Sequence, residues 1–257
     1  MTRLQVVGLL LSFAMLALAV TGPVIASSPN EQDLGSALQA PSLDYLLGTD
    51  HLGRSVAARL TYGSRTSLLI AGLSMMIALA FGTSLAMAAA FVPRLRAPIR
   101  WLLDVFQAFP SFIGILLLSG IFSPTPAAMA LNVALVSWPE PCRVALFAAE
   151  AAMRSTAVEA ATLVELPRTT IATKLVLRRL LHPLAALGAM LFGQSILSVA
   201  ALGFLGLGLN PPAPEWGTMI AEALPYIADA PHLLIAPSLA IVASVSGLLL
   251  LVDRSKS

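Results

Sequence analysis

The strongest constraint on this chain is a set of long stretches without a single ionised side chain. Residues 4–30, 66–93, 105–139, 183–214 and 233–252 hold no Asp, Glu, Lys or Arg. A helix needs roughly 20 apolar residues to cross a hydrocarbon layer about 30 Å thick. Lipid offers no partner to a loose amide, so stretches of this kind close their backbone hydrogen bonds as helices. Charged residues make up 11% of the chain and hydrophobic residues 58%, whereas a soluble domain is about 25% charged. A chain this apolar cannot cover its core with a polar surface, and it reads as an all-α polytopic membrane protein.

The run 105–139 is long enough for two crossings, and Ser123-Pro124-Thr125-Pro126 near its middle marks a turn. The outer ends of the pair borrow residues 99–104 and 140–147 to reach full length. Counted in this way the chain has six transmembrane helices, the fifth ending near Leu209. Residues 1–65 form the first helix and an outer segment, and residues 66–257 form a five-helix core that includes a polar loop at 143–182. Orientation follows from Lys and Arg. With the amino terminus in the cytoplasm, Arg3, Arg94, Arg96, Arg100, Arg143, Arg154, Arg168, Lys174, Arg178, Arg179, Arg254 and Lys256 fall inside, and Arg54, Arg59 and Arg65 fall outside. Both termini are then cytoplasmic, with Trp101 and Trp138 near the inner interface and Trp216 outside. A cleaved signal peptide is the competing reading of residues 4–30, and it would leave five spans with an external amino terminus.

The loop 143–182 is too long for a turn between neighbouring helices. Segments 148–152 and 158–163 are rich in helix formers and Pro167 interrupts them. Beyond it, Ile171, Leu175, Leu177, Leu180 and Leu181 recur at helical spacing, with Arg168, Lys174, Arg178 and Arg179 on the wetter side. Two short helices joined near residues 165–167 fit this pattern. They suit docking into a protein groove and lying on an anionic lipid surface equally well.

Other chemistry is excluded by what the sequence lacks. There is no Gly-x4-Gly-Lys-Ser/Thr loop to cradle ATP, and the scattered Lys and Arg form no nucleic-acid module. His51, His182 and His232 lie in three separate segments, and a lone Cys142 makes neither a disulfide nor a cysteine-based zinc site, so no metal site is expected. Asp104, Glu140 and Arg143 are the only ionisable residues close to the spans, and Glu140 and Arg143 have the i, i+3 spacing of a helical ion pair. Pro110 is expected to kink the third span, and the spacing of Ala86 and Ala90 permits a close helix contact. Taken alone, these features also fit an ATP-independent secondary transporter or a non-transporting membrane assembly subunit.

Four blocks then carry a resemblance that covers residues 4–252. The first is Leu47-Gly48-Thr49-Asp50-His51-Leu52-Gly53-Arg54 followed by Arg59-Leu60-Thr61-Tyr62-Gly63-Ser64-Arg65-Thr66-Ser67-Leu68. The second is Leu103-Asp104-Val105-Phe106-Gln107-Ala108-Phe109-Pro110-Ser111, and the third Val136-Ser137-Trp138-Pro139. The last runs from Leu202-Gly203-Phe204-Leu205-Gly206-Leu207-Gly208-Leu209-Asn210-Pro211-Pro212 to Glu215-Trp216-Gly217. In this order and spacing the chain resembles inner-membrane permease subunits of binding-protein-dependent ABC importers, of the dipeptide, oligopeptide and nickel type.

The resemblance implies a six-helix permease of the bacterial inner (cytoplasmic) membrane, surrounded by lipid, with no catalytic residue and no cofactor in this chain. It implies a homologous second permease completing the path and two ATPase subunits holding ATP and magnesium. It further implies a periplasmic or lipid-anchored substrate-binding protein, cargo among peptides, nickel and metal chelates, and no nucleic acid. In the family the inner loop docks on the ATPase, opens with Glu-Ala-Ala, has Gly six residues after the Glu, and closes on Ile-x-Leu-Pro. Glu159, Ala160 and Ala161 match the opening. Glu165 replaces the Gly and Arg178 the closing Pro, while a Leu180-Leu181-His182-Pro183 ending comes about five residues late. Glu adopts positive φ only under strain, so this turn is expected to be built differently, through Pro167 with Arg168 after it. Glu140 stands where relatives usually carry a basic residue. Asp50, Arg54, Pro211, Pro212 and Trp216 are expected on the periplasmic face that meets the binding protein.

Overall fold

The computed structural model describes residues 3–26 and 28–252. Arg254 and Lys256, counted above among the inner charges, lie outside the described residues. Helix α1 (Arg3–Ile25) runs along α11 (His232–Val252) and α2 (Val56–Phe91). Ser55 caps α2 by accepting the Ala58 amide, so the helix starts well before Thr66. Arg59 and Arg65, read above as part of an outer segment, belong to its first turns.

Helices α3 (Pro93–Ala108) and α4 (Ser111–Ser119) meet at 85°. The expected kink at Pro110 is a full break: both Phe109 and Pro110 have extended backbone. A proline has no N–H to donate and pushes the residue before it out of the helical region, and here the two effects fall together. The turn expected at residues 123–126 is present, with the Thr125 hydroxyl capping α5 (Pro126–Ser137) and Pro126 in its first turn. Asn132 of α5 donates to the Ile115 carbonyl (3.1 Å) and to the Ser119 hydroxyl, tying α5 to α4. Trp138, itself helical, leads directly into α6 (Pro139–Met153).

A short helix α7 (Thr156–Leu163) precedes the longest element. Segment α8 (Arg168–Thr170), a π-helical turn at residues 171–176, and α9 (Leu177–Phe204) form one continuous 37-residue helix. This corrects the expectation of a separate second helix in the loop followed by a span from Pro183. The amphipathic pattern beyond Thr169 is real, with Ile171, Val176 and Leu180 buried and Arg168, Lys174, Arg178 and Arg179 exposed. Pro183 sits inside the helix without ending it, as prolines in membrane helices do where neighbours compensate the lost bond. Helix α10 (Trp216–Ala223) lies between α9 and α11.

Among the described residues, α1, α2, Arg168–Phe204 and α11 are long and apolar enough to cross a membrane, and the bent pair α3–α4 makes a fifth if counted as one span. α2 is the centre of the bundle, packing on α1, α5, α6 and α9. Apolar side chains gain little from leaving lipid, so close approach of small residues replaces the hydrophobic term. Ala86, Ala89 and Ala90 of α2 meet Cys142, Ala145 and Ala149 of α6 in one buried cluster, in keeping with the contact expected at Ala86 and Ala90. Trp138 is also buried, edge-on to Phe81 and Phe106 at 5.5 and 5.2 Å between ring centres. It is a packing residue and not the interfacial anchor expected. Trp101 is exposed.

Candidate functional site

The two ends of the bundle and one flank each collect polar residues. At the capped end, residues 28–55 fold over α10. The Asp50 carboxylate accepts the amides of Leu52 and Arg54, both at 2.9 Å, which fixes the loop between Gly48 and Gly53. Its other oxygen takes the Arg54 guanidinium at 2.6 Å and lies 3.6 Å from that of Arg59. Arg54 and Arg59 both reach Glu222 of α10 at 2.9 Å. Two carboxylates thus face two guanidiniums, and Arg54 and Arg59 are each 2% exposed. Breaking one partner of such a buried set leaves a charge with nothing to face. His51, stacked on Tyr226 at 5.3 Å, brings a ring nitrogen within 4.8 Å of Asp50 and Glu222 oxygens. A cation there would compete with both arginines, and the cavity beside Arg59 is about 20 Å³, room for one water.

Glu215 lies in the same layer, fully buried, and caps α10. It accepts from the Gly217 amide (2.9 Å), the Thr218 amide (3.0 Å) and the Ser67 hydroxyl (3.2 Å). Burial pushes its carboxyl above the ordinary glutamate range, and these hydrogen bonds pull partly back. The fit demands glycine: a Cβ at Gly203 would stand 2.0 Å from Glu215 Oε2, and one at Gly217 would stand 2.0 Å from the Ala200 carbonyl. Trp216 packs in the cluster of Ala71, Ile196, Ala200, Ala240 and Ile241 with no exposed surface. Asp50, Arg54 and Trp216, expected from sequence on the face that meets a delivery protein, are buried in this chain. Charge pairing and packing turn them inward, and Pro211 and Pro212 remain exposed.

At the opposite end, α7 forms a knob. Val158 and Ala161 face the core, and Glu159 and Ala160 are exposed. The knob's tip presents Leu163, Val164 and Leu166, at 79%, 70% and 42% exposure. Its turn corrects the expectation made above: Glu165 does take positive φ, +54°. The Leu166 amide bonds the Ala161 carbonyl at 3.0 Å and the Glu165 amide bonds the Thr162 carbonyl at 3.1 Å. That pair of bonds is the Schellman ending of a helix, in which glycine is usual at the left-handed position. Pro167 follows as the cap of α8, with Arg168 exposed on its first turn.

On the flank, α3, α4, α5, α6 and α9 enclose a cavity of about 460 Å³. Gln107, Ser111, Ser137, Glu140, Arg143, Gln194 and Ser198 supply its polar lining. Gln107, Ser111, Arg143 and Gln194 are exposed there, on helices drawn from nearly charge-free sequence. Glu140 and Arg143 form no ion pair with each other or with any described residue, unlike their spacing suggests. Sequence reasoning missed Gln107 and Gln194, whose signal was an amide inside an apolar run. It also missed the pairing of Arg59 with Glu222, for which a partner 163 residues away leaves no local signal.

Residues 78–256 match the family described as binding-protein-dependent transport system inner membrane component. The chain belongs to that family. The permease is 35% identical over 254 residues to the di/tripeptide transport system permease protein DppC of Pseudomonas aeruginosa, with 96% of this chain and 84% of the relative covered. It is 31% identical over 247 residues to the dipeptide transport system permease protein DppC of Alkalihalophilus pseudofirmus, covering 95% and 81%. The relatives are transport subunits and not enzymes. The family match takes in the knob, the flank cavity and Glu222 of the permease. Asp50, Arg54 and Arg59 precede it, so the ion cluster fastens the preceding segment onto the matched core.

Proposed function

We propose that the chain is the permease of an ATP-driven importer of short peptides, forming half of a path that a homologous second permease completes. The observation that carries this reading is the flank cavity. In a six-crossing permease these polar and charged side chains lie in or beside the spans, and a charge facing hydrocarbon costs up to about 2.5–3.5 kcal/mol at a span centre by insertion scales. A water-filled path between two permeases is the environment that suits them. The peptide cargo is favoured by the di/tripeptide and dipeptide relatives.

In this reading six crossings place both termini in the cytoplasm, with α5 and α6 together supplying the fourth. The knob then faces the cytoplasm, where Leu163 and Val164 offer an apolar peg to a groove on an ATPase subunit. ATP and magnesium are held there and not in this chain. The capped end faces the periplasm, where Pro211 and Pro212 lie on the surface open to a substrate-binding protein. Nucleotide-driven movement of the ATPases pushes the knob and alternates the opening of the path.

Reconstitution of the permease with its partners in vesicles tests this directly. Uptake of a labelled dipeptide is expected to require ATP and the binding protein, and Glu159→Lys is expected to lower it at least about tenfold while ATP hydrolysis and assembly persist. Uptake by this chain alone, driven by an ion gradient, would refute the proposal.

A further inference from the structure

Resting on the path proposed above, we infer that Glu140 and Arg143 read the two charged ends of a peptide as it passes. Both line the 460 Å³ cavity, and neither is satisfied by the protein itself. They stand one turn apart on α6 with no ion pair between them. This spacing permits only a weak ion pair, and with none formed both charges are left free to meet what enters the cavity. The remaining polar lining, Gln107, Ser111, Ser137, Gln194 and Ser198, is neutral and offers both donors and acceptors.

A ligand with an ammonium at one end, a carboxylate at the other and a peptide bond between them suits both the charged pair and the neutral groups around it. Glu140 takes the ammonium, Arg143 takes the carboxylate through its forked guanidinium, and the amides and hydroxyls take the peptide bond. Size agrees: residues at i, i+3 have Cβ atoms about 5–6 Å apart, and an extended dipeptide spans about 7 Å. Phe106, Phe112, Ile115, Val136, Pro139 and Leu197 form the apolar remainder of the lining and tolerate varied side chains. The pair therefore selects for free termini while leaving side-chain choice open.

The test uses the assembled complex in nanodiscs, without binding protein, so that delivery does not select the ligand. In a Cys142→Ala background, Phe112→Cys and separately Leu197→Cys, both at exposed apolar positions of the lining, report on the cavity through their rate of reaction with a soluble maleimide. Millimolar Ala-Ala is expected to slow labelling about threefold, whereas N-acetyl-Ala-Ala and Ala-Ala-amide leave it near the unprotected rate. Glu140→Gln should erase the distinction at the amino end only, and Arg143→Gln that at the carboxyl end only. Equal protection by free and capped peptides, or protection by none, overturns the reading of termini and leaves the path standing. If neither cysteine reacts in any nucleotide state, the path itself is wrong and this inference falls with it. The comparison of free with capped peptides needs no substitution at Glu140 or Arg143, so it decides even where those variants fail to assemble.

Discussion

The capped end and the knob end treat the same kinds of residue in opposite ways. At the capped end, Asp50, Arg54, Arg59 and Glu215 are turned inward and paired with charges, a hydroxyl or backbone amides, and Trp216 is packed among apolar side chains. At the knob end, Leu163 and Val164 are turned outward and Glu165 holds a backbone conformation that glycine would hold without strain. One end closes its charges on themselves, although Leu34, Leu43 and Leu46 stay exposed in its loop. The other carries exposed apolar surface that an isolated subunit has no use for. Charge is therefore a poor guide to where this chain meets other molecules, and the best guide is which polar or apolar groups the fold leaves unmatched.

Substitutions at five positions probe that contrast. Arg59→Ala strips one guanidinium from the buried Asp50 and the half-buried Glu222 and is expected to cost up to about 3 kcal/mol, read as a lower thermal midpoint of the purified permease in detergent. An unchanged midpoint would mean that the capped end is held by packing and not by charge. Glu215→Ala removes the α10 cap and should cost about 1–2 kcal/mol. Because the folded carboxyl lies above its ordinary value, the protonated form favours the fold. Its contribution is whole below about pH 4.3 and declines as pH rises through the raised value. Glu215→Gln should remove that slope from the thermal midpoint.

At the knob, Glu165→Gly relieves a left-handed residue and should stabilise the turn by up to about 1 kcal/mol, seen as slower hydrogen exchange of the Leu166 amide with little change elsewhere. The pair Leu163→Ser and Val164→Ser should shift the stability of the isolated permease by no more than about 0.5 kcal/mol, while weakening co-purification with the ATPase. A large loss of stability would place these residues in the core and end the contrast.

The charge-free runs made α1, α2 and α11 legible, and Ser123 to Pro126 marked the turn before α5. Such runs carry no information on which face of a helix points inward, because both faces are apolar and the 3.6-residue period fades. That is why Trp138 and Trp216 were placed at interfaces when both are buried. Pro183 suggested a helix start, yet Leu180, Leu184 and Leu187 pack on both sides of it and hold the helix together. Glu165 was read by its intrinsic preference, which two backbone hydrogen bonds outweigh. Gln107 and Gln194 became meaningful only once the fold set them beside Glu140 and Arg143.

The unbroken helix from Arg168 to Phe204 measures roughly 55 Å at 1.5 Å per residue. It starts beside the knob and ends where Gly203 touches Glu215, so a single stiff rod joins the two ends compared above. Tilting it by 5° about its midpoint would carry each tip about 2.4 Å in opposite directions. With no clearance at Gly203 for even a methyl group, the far tip cannot swing without dragging the Glu215 cap and α10 along.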